Sequence, residues 1–323
     1  MAVDLSKVTK GKLDQAPRVL IYSFEGVGKT SWAVGAPEPF IIDINKGSSA
    51  FDVPRVFIDT WQETIDWVDA VESGQIKCKT LVLDILTDFE AAAHIHLFPG
   101  TTVTKYEGGY AKGDDVVVGE WRKLLFKLER IWQKGIGIIF TAHAKVRGFT
   151  SPLMPSYDRF TIVGRDPLAG LLRGWSDYVL FATIVETVTA PDAKGKQGRA
   201  TTTGERVVYT RRTPAYDAKA RGTALFPERL PLSYESFAAA VRADGSRGDD
   251  MRKEIDLWLV ELADAGLTTQ VRDYLKRNPT QIADAHNRVK IRVTEKMEQL
   301  ASGLTPATPT TTPPATTTAT AAS

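Results

Sequence analysis

Cysteine is almost missing from this 323-residue chain: Cys78 stands alone. A single thiol excludes an internal disulfide and any zinc site built from several cysteines. There is no apolar run long enough to cross a membrane and no N-terminal stretch with the pattern of a secretory leader. We therefore expect no membrane partner and a cytoplasmic location. A dominant charge of one sign is missing too, since 41 Lys and Arg against 39 Asp and Glu leave a formal charge of +2. Any nucleic-acid surface must then be a local patch. What is present is the composition of an ordinary globular protein, with 43% apolar and 25% charged residues. The length allows one large domain or two smaller ones, with ample core.

The most specific stretch is Arg18 to Thr30, RVLIYSFEGVGKT. Val19 to Tyr22 is a short apolar run of the kind that forms a buried parallel strand. It breaks into a loop carrying Ser23, Gly26, Val27 and Gly28, which opens into Lys29-Thr30 and a short helical stretch. Strand, glycine loop, Lys-Thr and helix in that order make a P-loop. Glycines let backbone N–H groups crowd against a polyphosphate, and the helix N-terminus adds partial positive charge. Lys29 neutralises the outer phosphates, and the Thr30 hydroxyl helps hold Mg²⁺. The pattern G-x-x-x-x-G-K-[ST] asks for Gly where this chain has Ser23, a residue small enough to fit. A nucleoside triphosphate with Mg²⁺ is the ligand this loop leads us to expect.

A second apolar run, Phe40 to Asp43, ends in a carboxylate, and Val56 to Asp59 is a short third. Thr60 to Glu63 reads as a capping box before a helix carrying Trp61, Ile65, Val68 and Val71. Thr80 to Asp84 has the form of a Walker B strand, whose carboxylate reaches Mg²⁺ or its water shell; a simple helix cap is the alternative for Asp84. Thr87 to Glu90 reads as another capping box, opening a helix through His94 and His96. Those two histidines point to different helix faces, which argues against a metal site. Residues 99–119 read as a long glycine-rich loop, 120–133 as an amphipathic helix and 136–143 as a buried strand. His143 at its tip is a γ-phosphate sensor or an ordinary turn residue.

The stretch after His143 reads as a loop over 144–166 that mixes cations and rings: Lys145, Arg147, Phe149, Tyr157 and Arg159. Such mixing fits single-stranded nucleic acid, with cations on phosphates and rings stacked on bases. A solvated loop with locally packed aromatics is the plainer reading. A helix is expected over 167–175, then strands over 177–188 and 205–212 joined as a hairpin by a loop at 191–204. Arg211, Arg212, Lys219 and Arg221 reach a neighbouring subunit's nucleotide or DNA, or form a plain surface edge. Residues 244–250 read as a linker, followed by helices over 251–263, 268–277 and 280–300. From Thr305 only Thr, Pro, Ala and Ser occur, a composition that stays disordered. The expected division is a lead-in at 1–16, a core at 17–240, a helical appendage at 241–302 and a disordered tail at 303–323.

The order of P-loop, strand ending in Asp43, Walker B Asp84 and strand ending in Thr141-Ala-His143 resembles RecA-like ATPases. An AAA+ motor would carry Glu after the Walker B Asp, whereas Ile85 follows Asp84. Tyr106-Glu-Gly-Gly-Tyr-Ala-Lys112, Glu120-Trp-Arg122, Thr141 to Lys145, Tyr157-Asp-Arg159 and Arg212 to Arg221, followed by Leu225-Phe-Pro-Glu-Arg-Leu230, are similar to phage-encoded proteins with a RecA-type core. Some of those are single-strand annealing recombinases. The resemblance covers about residues 17–240. It implies an α/β fold with a mostly parallel central sheet, binding of ATP and Mg²⁺, self-association into a homo-oligomer, and single-stranded DNA as partner, alongside a single-strand-binding protein. It also exposes a departure. RecA-like proteins place a water-activating Glu two residues after the Asp of the second strand, and here Asn45 follows Asp43. Asn cannot accept the proton, though it can orient a water, and Asp43 is the first substitute to consider. Slow turnover is therefore expected. A nucleotide-gated DNA-binding scaffold without hydrolysis is the runner-up, and a small-metabolite kinase a third reading.

Overall fold

The computed structural model describes residues 15–105, 110–152, 155–188, 200–221, 226–262, 265–278 and 282–301. Most of the expected lead-in, the tail, and the turn of the 191–204 loop lie outside the described residues. Two units are distinguished, one of residues 1–222 and 226–243, the other of 223–225 and 244–323.

The first unit opens with β1 (Arg18–Ser23), α1 (Lys29–Val34), β2 (Pro39–Asp43), β3 (Arg55–Phe57), α2 (Trp61–Glu72), β4 (Thr80–Asp84) and α3 (Leu86–Leu97). It continues with α4 (Tyr110–Gln133), β5 (Gly137–Phe149), β6 (Tyr157–Ile162), α5 (Asp166–Trp175), β7 (Tyr178–Val188), β8 (Ala200–Tyr209), β9 (Lys219–Ala220) and β10 (Arg229–Pro231). α6 (Tyr234–Leu262) begins in the first unit; its later part, α7 (Ala265–Arg277) and α8 (Ile282–Ala301) belong to the second.

The strands form one sheet in the order β10-β8-β7-β1-β5-β4-β2-β3. From β7 to β3 every neighbouring pair is parallel, and β8 and β10 add an antiparallel edge. The chain therefore has the α/β fold with a mostly parallel sheet that its sequence pattern indicates. β5 lies between the P-loop strand and the Walker B strand.

Strand alternation explains how the sheet is covered on both faces. Leu20 and Tyr22 of β1, Ile42 of β2, Leu81 and Leu83 of β4 and Phe140 of β5 enter one core with Trp61, Phe89, Trp121, Leu124 and Leu128 from the helices. Val19, Ile21, Ile41, Val82 and Ile139 point the other way, onto Trp32 of α1 and Phe237 of α6. Each such side chain contributes about 1.5–3 kcal/mol when removed from water. In the second unit Ile255, Leu259, Val271, Ile282 and Val289 make a separate small core.

Several expectations need correction. The 99–119 loop is much shorter, because α4 already begins at Tyr110. Gly113 is part of the reason: a Cβ there would stand 2.3 Å from the Val103 carbonyl oxygen, so its role is close packing. The 144–166 loop is largely a β-hairpin, with β5 running on to Phe149 and pairing antiparallel with β6. Residues 244–250 lie inside α6 and do not form an open linker. The Thr60 capping box is present, with the Thr60 hydroxyl accepting from Glu63 N and the Glu63 carboxylate accepting from Thr60 N. The one at Thr87 is not: α3 is capped by Ile85 without a side-chain bond, and Glu90 accepts from Arg165 N at 3.1 Å.

Candidate functional site

Parallel pairing places the C-terminal ends of β1, β4 and β2 on one edge of the sheet, beside His143 part-way along β5. Ser23 is paired with His143, and Asp43 with Asp84. The P-loop rises from that edge. Gly26 and Gly28 adopt φ of +72° and +115°, backbone that a side chain would strain, which is why glycine stands at both. Val27 between them is buried and anchors the loop to the sheet. Ser23 takes its place without distortion: its hydroxyl is buried and donates to Phe24 O at 2.7 Å.

Lys29 turns back over this loop. Its ammonium donates to Ser23 O at 3.3 Å, Ser23 Oγ at 3.2 Å and Phe24 O at 3.1 Å, with His143 Nδ1 at 3.4 Å. All of these partners are neutral acceptors. Burial lowers the Lys29 pKa, opposed by the more distant Asp84 and Glu25 carboxylates. The Thr30 hydroxyl donates to Asp84 Oδ2 at 2.7 Å, and Thr141 donates to the other oxygen. Burial raises the Asp84 pKa against those two bonds, so a cation beside it would be welcome. A hydroxyl and a carboxylate oxygen from two elements are the hard donors that Mg²⁺ takes in phosphoryl-transfer sites, with phosphates completing its shell. Thr30 and Asp84 thus fit the expected metal.

A cavity of about 300 Å³ opens over these groups, lined by Gly26, Gly28, Lys29, Thr30, Asn45, Asp84 and His143. Asp43 is not among its walls. Its carboxylate is wholly buried and accepts from Asn45 N at 3.1 Å and from Ser48 N at 2.8 Å and Ser48 Oγ at 2.5 Å. Asp43 thus holds the 45–48 turn and stands behind the cavity wall, not on it as a substitute base would. Asn45 is exposed on the cavity wall, with Oδ1 accepting from Gly47 N at 3.0 Å. The His143 pKa is lowered, by burial first and by Lys29 second.

Three residues here escaped the sequence reading. Thr141 is bonded to Asp84, Glu25 lines the cavity beside His143, and Arg206 of β8 reaches over Gly28. Glu25 occupies a free position of the motif, and Arg206 is distant in sequence, so only the fold reveals them.

The basic hairpin is a separate region. Lys145 donates to Gly164 O at 3.2 Å, and Arg147 pairs with Asp166 at 2.5 Å. Phe149 and Tyr157 pack on each other with centroids 5.4 Å apart. Arg159 is 5% exposed, pairs with Asp217 at 2.6 Å and lies over the Phe149 ring. Its guanidinium is thus held by an internal ion pair on the wall of the hairpin cleft and is not freely exposed as a DNA contact would be. Arg212 also approaches Asp217, at 3.4 Å, while Arg211 pairs with Glu228 and Arg221 with Asp177. Lys219 donates to Arg173 O at 2.7 Å.

With this geometry in place, the comparisons are informative. A family model described as an AAA domain matches residues 15–222, more than half of the chain. The chain belongs to that AAA domain family. Among solved structures, a KaiC-like protein from the hyperthermophilic archaeon Pyrococcus horikoshii OT3 is similar at 14% identity. That match covers 67% of this chain and 85% of the other, with a TM-score of 0.35, too distant to speak to activity. No curated protein matches. Among the described residues no helix is long and apolar enough to cross a membrane.

Proposed function

We propose that this AAA domain protein binds ATP with Mg²⁺ and hydrolyses it slowly, as a phage-encoded protein acting on single-stranded DNA in recombination, annealing or replication in the host cytoplasm. The observation that carries the nucleotide reading is the Thr30–Asp84 bond of 2.7 Å beneath the ammonium of Lys29, which has no ion-pair partner among the described residues. Backbone N–H groups of the P-loop and Lys29 hold the phosphates. Thr30 and Asp84 would hold Mg²⁺, which when bound would supply charge neutralisation on the phosphates. Asn45 orients a water, and His143 senses the outer phosphate.

The DNA part rests on the resemblance and on the hairpin rim, where Arg147, Phe149 and Tyr157 remain as contacts and Lys145 supports them. Self-association, with Arg211, Arg212, Lys219 or Arg221 facing a neighbour, and a single-strand-binding partner rest on the resemblance alone. A nucleotide-gated scaffold is the second reading, favoured by Asn45 and by the burial of Asp43. ATP hydrolysis by the full chain, with and without single-stranded DNA, separates them. Turnover stimulated by DNA supports the ATPase; DNA binding that changes with ATP, without turnover, supports the scaffold.

A further inference from the structure

A hydrolytic P-loop site needs a group to take the proton of the attacking water. Asn45 cannot accept it, and Asp43 is buried with both oxygens bonded. Among the described residues that line the cavity two carboxylates remain, Asp84 and Glu25. Asp84 holds the Thr30 and Thr141 hydroxyls on the metal side. Glu25 is different. It stands on the tip of the P-loop itself, its side chain 77% exposed, with Oε1 3.3 Å from His143 Nδ1.

We propose that Glu25, positioned by His143, is the general base of ATP hydrolysis in this chain and replaces the carboxylate absent at position 45. The inference rests on the ATPase reading above. In the step, the Glu25 carboxylate takes a proton from water as the water oxygen bonds to the γ-phosphorus. The bond from that phosphorus to the β–γ bridging oxygen breaks, and ADP leaves with its electron pair. The proton then passes from Glu25 to the phosphate product or to solvent.

His143 makes this conditional on a filled site. Its Nδ1 faces Lys29 Nζ at 3.4 Å and Glu25 Oε1 at 3.3 Å. One nitrogen serves one of them at a time: it accepts from the ammonium in one tautomer and donates to the carboxylate in the other. Phosphates that engage Lys29 release Nδ1 to hold Glu25. Binding thereby orients the base.

The test uses the full chain, a fluorescent ATP analogue for affinity and steady-state ATP hydrolysis with Mg²⁺. Glu25→Gln is expected to lower kcat about 100-fold or more while the Kd stays within about twofold or tightens, since a negative charge beside the phosphates is lost. Asn45→Glu in the Glu25→Gln background is expected to restore part of the turnover. A Glu25→Gln enzyme that keeps wild-type kcat overturns the proposal and leaves the ATPase reading standing. Loss of affinity together with kcat makes Glu25 a structural part of the loop and also overturns it. Wild-type protein that binds the analogue without turning over ATP removes the base role and moves the function to the scaffold reading. Wild-type protein that does neither removes both.

Discussion

Lys29 and Arg159 are both buried cations, at 6% and 5% exposure, but their surroundings differ in kind. Around Lys29 the ammonium meets carbonyls, a hydroxyl and an imidazole. Around Arg159 a carboxylate stands 2.6 Å away, and Asp217 also gathers Arg173 and Arg212 at 3.5 and 3.4 Å. Burying a charge without a counter-ion is costly, and such a charge persists where a ligand brings the opposite sign. A charge buried with its counter-ion belongs to the scaffold. By that criterion the P-loop cavity is a polyanion site. The hairpin cleft of about 660 Å³, lined by Arg147, Arg159, Arg173 and Arg212 with Asp166 and Asp217, is mostly internal electrostatics with an exposed rim.

The sharpest way to break this contrast is to delete each cation. Arg159→Met leaves Asp217 without its closest partner and should cost about 3 kcal/mol of stability in urea unfolding, with nucleotide affinity unchanged in the folded protein. Lys29→Ala should do the reverse. It should weaken ATP binding by about 2–3 kcal/mol, the worth of hydrogen bonds to a charged group, with stability equal to wild type or higher. If Lys29→Ala unfolds the chain, the ammonium is scaffolding after all.

Asp43→Asn sharpens the site side of the comparison. Loss of one acceptor oxygen should loosen the 45–48 turn and lower stability by about 1–2 kcal/mol, with turnover reduced only in part. Abolished hydrolysis at unchanged stability would instead make Asp43 the base. The smallest effect is on His143, whose pKa lies below the ordinary 6.5 because of burial and Lys29. As pH falls below 6.5 the unfolded chain takes a proton that the native imidazole resists, so stability declines through that window down to the native pKa. In Lys29→Ala one of the two causes is gone. The His143 midpoint, followed by NMR, should move up, and the decline should become shallower.

Much of this was legible in the sequence, for identifiable reasons. Short apolar runs ending in Ser23, Asp43, Asp84 and His143 announce parallel strands whose tips share an edge, and these residues do converge, His143 from part-way along β5. The P-loop is legible because backbone geometry dictates its glycines. What was hidden depends on tertiary packing. Tyr110 to Gly119 looks like a loop because Gly113 and Gly119 are poor helix formers, yet the buried Val117 and the close approach of Gly113 to Val103 hold it in α4. Gly245 and Gly248 likewise look like a linker, although helix-forming stretches on both sides carry α6 through them. The cations and rings after His143 resemble a nucleic-acid loop in composition. Composition could not reveal that Asp166 and Asp217 were already their partners. For the same reason Glu25, Thr141 and Arg206 became visible only when the fold brought them to Lys29 and Asp84.

Calorimetric titration of the full chain with ATP and Mg²⁺, beside Lys29→Ala with its urea unfolding curve, tests the central claim most directly. The account predicts Mg²⁺-dependent saturable binding by the wild type and loss of that binding in a variant whose unfolding midpoint is equal or higher. A wild type that gives no binding heat, or a variant that binds ATP as the wild type does, would contradict it.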